Sequence, residues 1–261
     1  MSHQISIIGS GNLGTNLAIT LFQNKFVINS IISRQIKNAE QLASQCAALA
    51  GTKIEHIPDH SDTLFFCVPD DVLTDILANH DFGNTLLIHT AGSMNINVFK
   101  KHSNNYAVLY ALQTFSKDHI ADFKNAPVFI EANNKYSFDR VQQIAGKISL
   151  NVQELSSKKR LELHTAAVFA CNFTNHMYKI AEDLIQDTDL DFDVFVPLIR
   201  ETTEKIIDIK DPARCQTGPA VRNDKNTMDK HLAVLKKNKA LADLYKIISN
   251  RIFEQNRKQD K

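Results

Sequence analysis

The feature of this chain that most restricts its fold is a cluster of three glycines close to the N-terminus, Gly9, Gly11 and Gly14. Glycine is otherwise scarce, since the 261 residues contain only eight. An isoleucine-rich run at residues 5–8 precedes the cluster and predicts a strand, whereas apolar residues at helical spacing follow from Leu13 onward. The order strand, glycine turn, helix is typical of the first unit of a doubly wound α/β sheet.

In that context each glycine of the G-x-G-x-x-G pattern has a structural reason. Gly9 permits the tight turn, Gly11 lets a diphosphate approach the backbone, and Gly14 lets the helix pack closely on the sheet. Free N–H groups at the start of the helix can then bind the phosphates. The alternative is a strand-to-helix turn that binds nothing. We predict a dinucleotide site formed by Gly9, Ser10, Gly11, Asn12, Leu13 and Gly14.

The end of the second predicted strand, residues 26–32, indicates which dinucleotide binds. Ser33 and Arg34 follow that strand, and Ser33 lies 19 residues beyond Gly14. An NAD-binding chain usually carries Asp or Glu about 20 residues on, to hold the ribose 2′-hydroxyl. Here Arg34 can instead pair with a 2′-phosphate. The sequence therefore predicts NADP(H), and the alternative is that Arg34 is a solvated loop arginine.

Further strands are predicted along the first half, and their ends mark the rest of the pocket. Apolar runs at residues 64–68 and 86–88 are typical of parallel strands buried on both faces, and a weaker strand is predicted at residues 54–56. Ligands of doubly wound sheets bind beyond the carboxyl ends of the strands. The residues predicted to rim the nicotinamide pocket are Val68, Pro69, Thr90 and Ala91.

Polar residues after another predicted strand, residues 106–110, allow two interpretations. Gln113 and Thr114 are either turn-formers or donors to the substrate pocket. The strand pattern ends near residue 155. We therefore predict a Rossmann-type domain with a doubly wound, mostly parallel sheet at residues 1–155, followed by an all-helical domain at residues 156–261 for substrate binding and dimerisation.

The second half has no strand-like runs and predicts long helices. Residues 158–186 contain neither Gly nor Pro, which predicts a helix of about 43 Å at 1.5 Å per residue. Its middle, residues 166–171, is apolar on every side, and this pattern indicates burial all round. A domain of roughly a hundred residues cannot surround such a helix alone. We expect a homodimer through the C-terminal helices, and the alternative is a monomer in which the nucleotide-binding domain supplies the cover.

Two polar side chains of this predicted helix, His164 and Asn172, project to a similar side. Asn172 could orient a ligand carbonyl or imine, or it could form a hydrogen bond between helices. His164 has the pKa range of a proton donor, although a single histidine is more often structural.

A second polar cluster lies between residues 217 and 231. Asp224 suits a helix N-cap, and Thr227 and His231 follow it on one face of the next helix. A corner between two helices would explain Gly218 and the cap without any ligand, so a substrate or interface role and a purely structural one both stay open. The candidates are Thr217, Gly218, Pro219, Arg222, Asp224, Thr227 and, as another proton donor, His231.

Composition excludes several classes of partner. The 30 basic and 29 acidic residues leave a net charge of +1, so nucleic acid and anionic membranes are poorly motivated. No apolar run approaches the ~20 residues of a membrane span. The four cysteines lie singly, which predicts free thiols in a reducing cytoplasm rather than zinc ligands. Pro58 prevents a helical histidine pair at residues 56–60, so no metal site is predicted.

Taken together, these motifs resemble the Rossmann-like NADP oxidoreductases with a C-terminal helical domain of unassigned function, some of them labelled deazaflavin-dependent. More distantly, the chain is similar to pyrroline-5-carboxylate reductase and the β-hydroxyacid dehydrogenases, and its helical domain to that of 6-phosphogluconate dehydrogenase. These similarities imply a helical dimerisation domain and an active site between domains. The resemblance rests on residues 7–14, 112–116 and 164–173, and on Thr217, Gly218, Pro219, Arg222, Asp224, Thr227, His231 and Leu232.

The chain departs from the pattern of these families at three positions. Ala111 and Asn223 stand where Pro and Gly are expected, although Asn tolerates a left-handed backbone. Val168 stands four residues before Asn172, where β-hydroxyacid dehydrogenases carry a catalytic lysine.

The resemblance implies an oxidoreductase that transfers a hydride between NADP(H) and a small imine or carbonyl compound. Asn172 would orient the substrate, and His164 or His231 would donate the proton. The alternative is a non-catalytic NADP(H)-binding sensor or assembly protein with the same fold.

Overall fold

The computed structural model describes residues 3–259, and the chain divides into two compact units between His176 and Met177. The first unit contains the sheet and the helices that cover it, and the second is helical. The unit boundary lies beyond the domain boundary predicted after residue 155. That predicted domain division stays a prediction.

The sheet has eight strands, arranged in the order β3-β2-β1-β4-β5-β6-β7-β8. Neighbouring strands are parallel except β6 and β7, which pair antiparallel. The strands are β1 (Gln4–Ile8), β2 (Val27–Ile32), β3 (Leu49–Gly51), β4 (Thr63–Phe66), β5 (Leu86–His89), β6 (Asn105–Ala111), β7 (Val128–Ala132) and β8 (Val152–Glu154). The chain runs outward from β1 in one direction and then from β4 in the other. A crevice therefore opens between the carboxyl ends of β1 and β4.

Helices connect the strands and form the second unit. They are α1 (Asn12–Gln23), α2 (Ile36–Gln45), α3 (Asp70–Ala78), α4 (Lys135–Ile148), α5 (Ser157–Ala167), α6 (Thr174–Leu184), α7 (Val196–Ile209), α8 (Lys225–Leu235) and α9 (Lys239–Gln259), with a π-helical turn at Val168–Phe173. Short 3₁₀ turns lie at Ile54–His56, Ile96–Phe99 and Phe192–Phe195. None of the helices within residues 3–259 is long and apolar enough to cross a bilayer.

The core of the first unit lies on both faces of the sheet. In β4, Phe65 packs into the cluster that includes Leu17 of α1, whereas Phe66 packs into the opposite cluster with Leu73 of α3. Every residue of β4 and β5 is buried, because helices cover both faces. The predicted fold class, a doubly wound, mostly parallel sheet followed by helices, is confirmed.

Two local predictions were wrong. Residues 54–56 form a 3₁₀ turn rather than a strand, and the strand lies earlier, at β3. The helix before it ends at Gln45, because Ala47 has a left-handed backbone with φ 50°. The predicted burial all round at residues 166–171 was also wrong within a single chain, since Phe169 is 65% exposed.

Candidate functional site

A groove of about 1080 Å³ lies at the carboxyl ends of β1, β2 and β4. The glycine turn after β1 forms one wall, and the segments after β2 and β3 form another. This is the crevice in which doubly wound sheets bind their ligands. The groove is lined by Ile8, Gly9, Ser10, Gly11, Ile32, Ser33, Arg34, Gln35, Asn38, Thr52, Lys53, Ile54, Glu55, Cys67, Val68, Pro69, Val72, Ile76, His80 and Lys117.

The glycine turn is built for close packing and for a ligand at its open side. Gly9 has φ +111°, and a Cβ there would lie 2.2 Å from the carbonyl oxygen of Cys67. A Cβ on Gly14 would lie 2.1 Å from the carbonyl oxygen of Gly9. By contrast, a Cβ on Gly11 would meet no atom within 4 Å. The outer glycines therefore let the helix and strand meet, while Gly11 leaves space for a group that approaches the backbone.

The N-terminus of α1 faces this space without a protein cap. Gly11 is the N-cap and supplies no side-chain hydrogen bond, and the first turn holds no acidic residue. The first N–H groups of a helix have no partner within the helix, and the helix dipole favours an anion beside them. Diphosphate oxygens fit these donors. Gly9, Ser10 and Gly11 line the groove, whereas Asn12, Leu13 and Gly14 are not part of its lining, and the predicted dinucleotide contacts of all six residues stay a prediction.

The end of β2 brings positive charge to the groove. The Ser10 hydroxyl donates to the Ser33 hydroxyl at 2.7 Å, which ties the glycine turn to this strand end. Arg34 is exposed at the groove wall. Lys53, after β3, lines the same groove and was not predicted. Because the third strand was predicted at residues 54–56, Lys53 stood before a strand instead of after one, and no sequence pattern pointed to it.

One carboxylate also lines the groove. Glu55 accepts a hydrogen bond from the His80 ring at 3.3 Å. A hydrogen bond to its own backbone N–H, together with the one from His80, lowers the pKa of Glu55. Its charge is therefore partly engaged by groups of the chain and not directed solely at the groove.

The segments that follow β4 and β5 differ in what they expose to the groove. Val68 and Pro69 line the groove. The Thr90 hydroxyl instead donates to the carbonyl oxygen of Phe66 at 3.3 Å and is buried. The Ala91 N–H donates to His89 Nδ1 at 3.3 Å. Thr90 and Ala91 thus tie β5 to its surroundings, and their predicted contact with nicotinamide stays a prediction.

His164 is held at the carboxyl edge of the same sheet. Its ring covers Gly92 so closely that a Cβ there would lie 2.5 Å from His164 Cγ. Its Nδ1 lies 3.1 Å from the Tyr110 hydroxyl. Burial raises the pKa of Tyr110, so this hydroxyl keeps its proton and can donate to the imidazole.

Buried Arg160, one helical turn before His164, anchors α5 to the sheet. Its guanidinium pairs with Glu131 of β7 and donates to the Met94 carbonyl oxygen. Ser157 also donates to Glu131, at 2.7 Å. Because residues four apart share one helix face, this anchor directs His164 toward Gly92 and Tyr110.

Asn172 lies in the π-helical turn and is exposed. Single π turns are frequent at functional sites because they displace a side chain from the regular helical position. Gln113 and Thr114 are exposed as well, and the Thr114 N–H donates to Gln113 Oε1 at 2.8 Å. That bond agrees with the turn-forming interpretation of Gln113.

In the second unit, the polar cluster at residues 217–231 forms a capped corner. Asp224 caps α8, accepting from the Thr227 N–H at 3.1 Å and from the Thr227 hydroxyl at 2.8 Å. These two hydrogen bonds lower the pKa of Asp224. Asn223 has φ 53°, the left-handed conformation for which glycine was expected.

A separate cavity of about 310 Å³ adjoins that corner. His231 lines it, and His231 Nδ1 lies 2.8 Å from the Tyr245 hydroxyl. Thr217 and Pro219 line the cavity too, whereas Arg222 and Gly218 do not. The other lining residues are Met177, Ile180, Leu184, Ala220, Leu235, Leu241, Leu244, Tyr245, Ile248, Ser249 and Ile252.

Two family profiles match the chain. Residues 4–92 match a family described as "NADP oxidoreductase coenzyme F420-dependent", and residues 126–252 match a domain of unknown function, DUF2520. No curated protein matches the chain.

Solved structures match over nearly the whole length. The "putative NADP oxidoreductase BF3122 from Bacteroides fragilis" is 38% identical, with a TM-score of 0.90 over 97% of this chain and 98% of the other. A reductive aminase from Aspergillus terreus, solved with NADPH and ethyl-5-oxohexanoate, is 13% identical, with a TM-score of 0.73 over 98% and 95%. A pyrroline-5-carboxylate reductase from Coxiella burnetii is 15% identical, with a TM-score of 0.55 over 99% and 98%.

The two distant structures show that the fold is shared, and the first shows the family. The family description includes NADP, which confirms the predicted cofactor, NADP(H). The chain belongs to the Rossmann-like NADP oxidoreductases whose C-terminal helical domain has no assigned function.

Proposed function

We propose that this protein is an NADP(H)-dependent reductase of small imine or carbonyl compounds. The observation that carries the proposal is the groove itself, which has an uncapped helix N-terminus beside Gly11 and the Arg34 guanidinium on the same lining. A dinucleotide with a 2′-phosphate needs both features, since its diphosphate and its extra phosphate lie at different points along the molecule.

Different residues of the groove would hold different parts of the cofactor. The backbone of residues 9–14 would hold the diphosphate. Ser33 and Arg34 would hold the 2′-phosphate, through a hydroxyl and a bidentate guanidinium. Lys53 adds a second positive charge to the same lining. When bound, NADPH supplies a hydride from its nicotinamide, and the protein contributes binding and orientation.

His164 is our candidate for the proton donor. In its protonated form His164 would donate from Nδ1 to the Tyr110 hydroxyl oxygen, 3.1 Å away, and would give its Nε2 proton to the substrate, which leaves a neutral imidazole. Asn172 would orient the reacting group. Thus the lysine that Val168 replaces is not required for proton supply. His231 is paired with Tyr245 in the second unit, and we assign it to that unit's own cavity.

We also propose that the protein is a homodimer through its C-terminal helices. In α7, Leu198 and Ile207 are each 62% exposed, and Val234 of α8 is 74% exposed. Exposed apolar surface on this scale marks an interaction site. A second copy of the chain carries the same apolar faces and can cover them isologously. The four free cysteines fit a reducing compartment, such as the cytoplasm.

Calorimetric titration with NADPH and NADH tests the cofactor assignment. We expect tighter binding of NADPH, and Arg34→Met should weaken NADPH binding about 10- to 100-fold, since charged hydrogen bonds contribute roughly 1.5–3 kcal/mol. NADH binding should not change. Lys37→Met is the matched control, because Lys37 is exposed near Arg34 but does not line the groove. Equal affinity of the wild-type protein for both nucleotides would refute the 2′-phosphate assignment.

NADPH oxidation across a panel of cyclic imines and oxoacids separates an enzyme from a sensor. We expect turnover with at least one member of the panel, and His164→Phe should lower kcat while leaving NADPH affinity unchanged. Tight NADPH binding with no turnover on any member would favour a non-catalytic sensor of the same fold.

A further inference from the structure

The segment between β6 and β7 contributes to the lining of the cofactor groove. It includes Ser116, Lys117 and Ala121, and only Lys117 of this segment lines the groove. Lys117 is 103 residues beyond Gly14 in the sequence, so no local pattern links it to the glycine turn. The structure nevertheless places Lys117 on the same lining as Gly9, Ser10 and Gly11 of that turn.

A buried amide fastens this segment to the dinucleotide helix. Asn16 of α1 is 0% exposed. Its Nδ2 donates to the Asn12 carbonyl oxygen at 2.8 Å and to the Ser116 carbonyl oxygen at 2.7 Å. Its Oδ1 accepts from the Ala121 N–H at 2.7 Å. Because buried polar groups require partners, Asn16 holds the segment on both sides of Lys117 against the first turns of α1.

Aromatic packing also anchors the segment to the core of the first unit. The ring centroids of Phe115 and Phe123 lie 5.4 Å apart, and Phe123 is buried in the core. The backbone around Lys117 is therefore anchored by Phe115 and Ser116 before it and by Ala121 and Phe123 after it. A lysine held in this way loses less freedom on binding a ligand than one on a free loop.

The charge of Lys117 is not used by the protein. Within the described residues, Lys117 has no carboxylate within 4.0 Å, unlike Lys135 and Lys179, which pair with nearby acidic side chains. Asp118 and His119 follow it and are exposed, but neither lines the groove. An unpaired ammonium on the same groove lining as an uncapped helix N-terminus adds a point charge to donors that already favour an anion.

We propose that Lys117 binds the diphosphate of the cofactor together with the glycine turn on the same lining, and that Asn16 holds the segment that carries Lys117 in place. This inference rests on the proposed function of the groove. It assigns Lys117 to the part of the dinucleotide that NADPH and NADH share, and it leaves the 2′-phosphate to Arg34. The two cations therefore have separable effects.

Fragment binding to the full-length protein separates these effects without any catalysis. ADP-ribose carries the diphosphate but no 2′-phosphate, and adenosine 2′-monophosphate carries the 2′-phosphate but no diphosphate. Lys117→Met should weaken ADP-ribose binding about tenfold, as expected for one charged contact, and leave the monophosphate unaffected. Arg34→Met should show the reverse. Lys117→Arg should retain the affinity for ADP-ribose, because the charge remains.

Lys124→Met is the matched control, since Lys124 is an exposed lysine of the same segment that does not line the groove. It should bind both fragments as the wild-type protein does. Loss of monophosphate affinity alone in Lys117→Met would overturn the inference, because Lys117 would then contact the 2′-phosphate. Unchanged ADP-ribose affinity in Lys117→Met, with the Arg34 effect intact, would also overturn it while the proposed function stands. If the wild-type protein binds neither fragment nor NADPH, the proposed function itself fails.

Discussion

The two units of this chain differ in how they bury apolar side chains. The first unit buries isoleucine, leucine and phenylalanine on both faces of its sheet, whereas Ala220 and Leu235 are the only buried apolar residues described beyond His176. In the second unit, by contrast, large apolar side chains such as those of Leu198, Ile207 and Val234 are exposed. Helical proteins gain most of their stability from packing of such faces. The first unit therefore has its own core, whereas the second leaves large apolar side chains exposed, which the proposed homodimer would cover.

Arg160→Met should give the largest effect, because it removes one partner of a buried ion pair inside the self-sufficient unit. Glu131 would keep a charge that is only 17% exposed and has lost its cation. Breaking a buried pair in this way typically costs about 3–5 kcal/mol. Urea unfolding should report that loss of unfolding free energy. Lys135→Met is the control, since it breaks an exposed pair with Asp139 and should cost at most about 1 kcal/mol. Equal costs for the two variants would show that Arg160 is not a structural anchor.

Leu198→Asp tests the dependence of the second unit on a partner chain. A charge placed at this proposed dimer contact should raise the dissociation constant of the dimer about a hundredfold, from lost apolar burial and an unpaired carboxylate. Light scattering across a dilution series measures this. The matched control is Leu150→Asp in the first unit, where Leu150 is 76% exposed, and its dimer should persist. A wild-type protein that is monomeric at micromolar concentration would contradict the proposed homodimer.

The contrast between the units also explains which features could be predicted from the sequence. The glycine turn, α1 and the buried strands β4 and β5 are local patterns, and the structure confirms each of them. The Asp224 cap was predictable for the same reason, because cap and first turn are adjacent. The 3₁₀ turn at Ile54–His56 was not, since a single left-handed residue, Ala47, shifts where the strand begins.

Features that depend on distant contacts could not be predicted. Lys117 lines the groove on a segment that Asn16 holds through a hydrogen bond to the carbonyl oxygen of Ser116, which is 100 residues away in sequence. Tyr110 meets His164 across 54 residues. The apolar residues at 166–171 predicted burial that a single chain does not provide. Phe169 is 65% exposed in this chain, and the proposed homodimer would supply the cover that the pattern predicts.

The smallest of these effects is expected at His89. Its burial in the core of the first unit should make the unfolding free energy depend on pH. It is 1% exposed at the end of β5, with Phe99 in ring contact at 5.6 Å. Burial, and secondly the nearby Arg160 charge, lower its pKa from 6.5 to about 3. The folded protein therefore keeps His89 neutral while the unfolded chain binds a proton below about pH 6.5. Stability from this group is present above that pH and is lost progressively as pH falls toward 3.

The loss should reach about 1.4 kcal/mol per pH unit, or about 2 kcal/mol between pH 6.5 and 5. His89→Asn removes the titration while its Oδ1 can still accept from the Ala91 N–H. Its unfolding free energy should fall less steeply over that range than that of the wild-type protein, whatever its absolute stability. His60→Asn, at an exposed position, should keep the wild-type slope. Parallel slopes for the wild-type protein and His89→Asn would mean that His89 takes up a proton in the folded protein, and that the core at the end of β5 admits water.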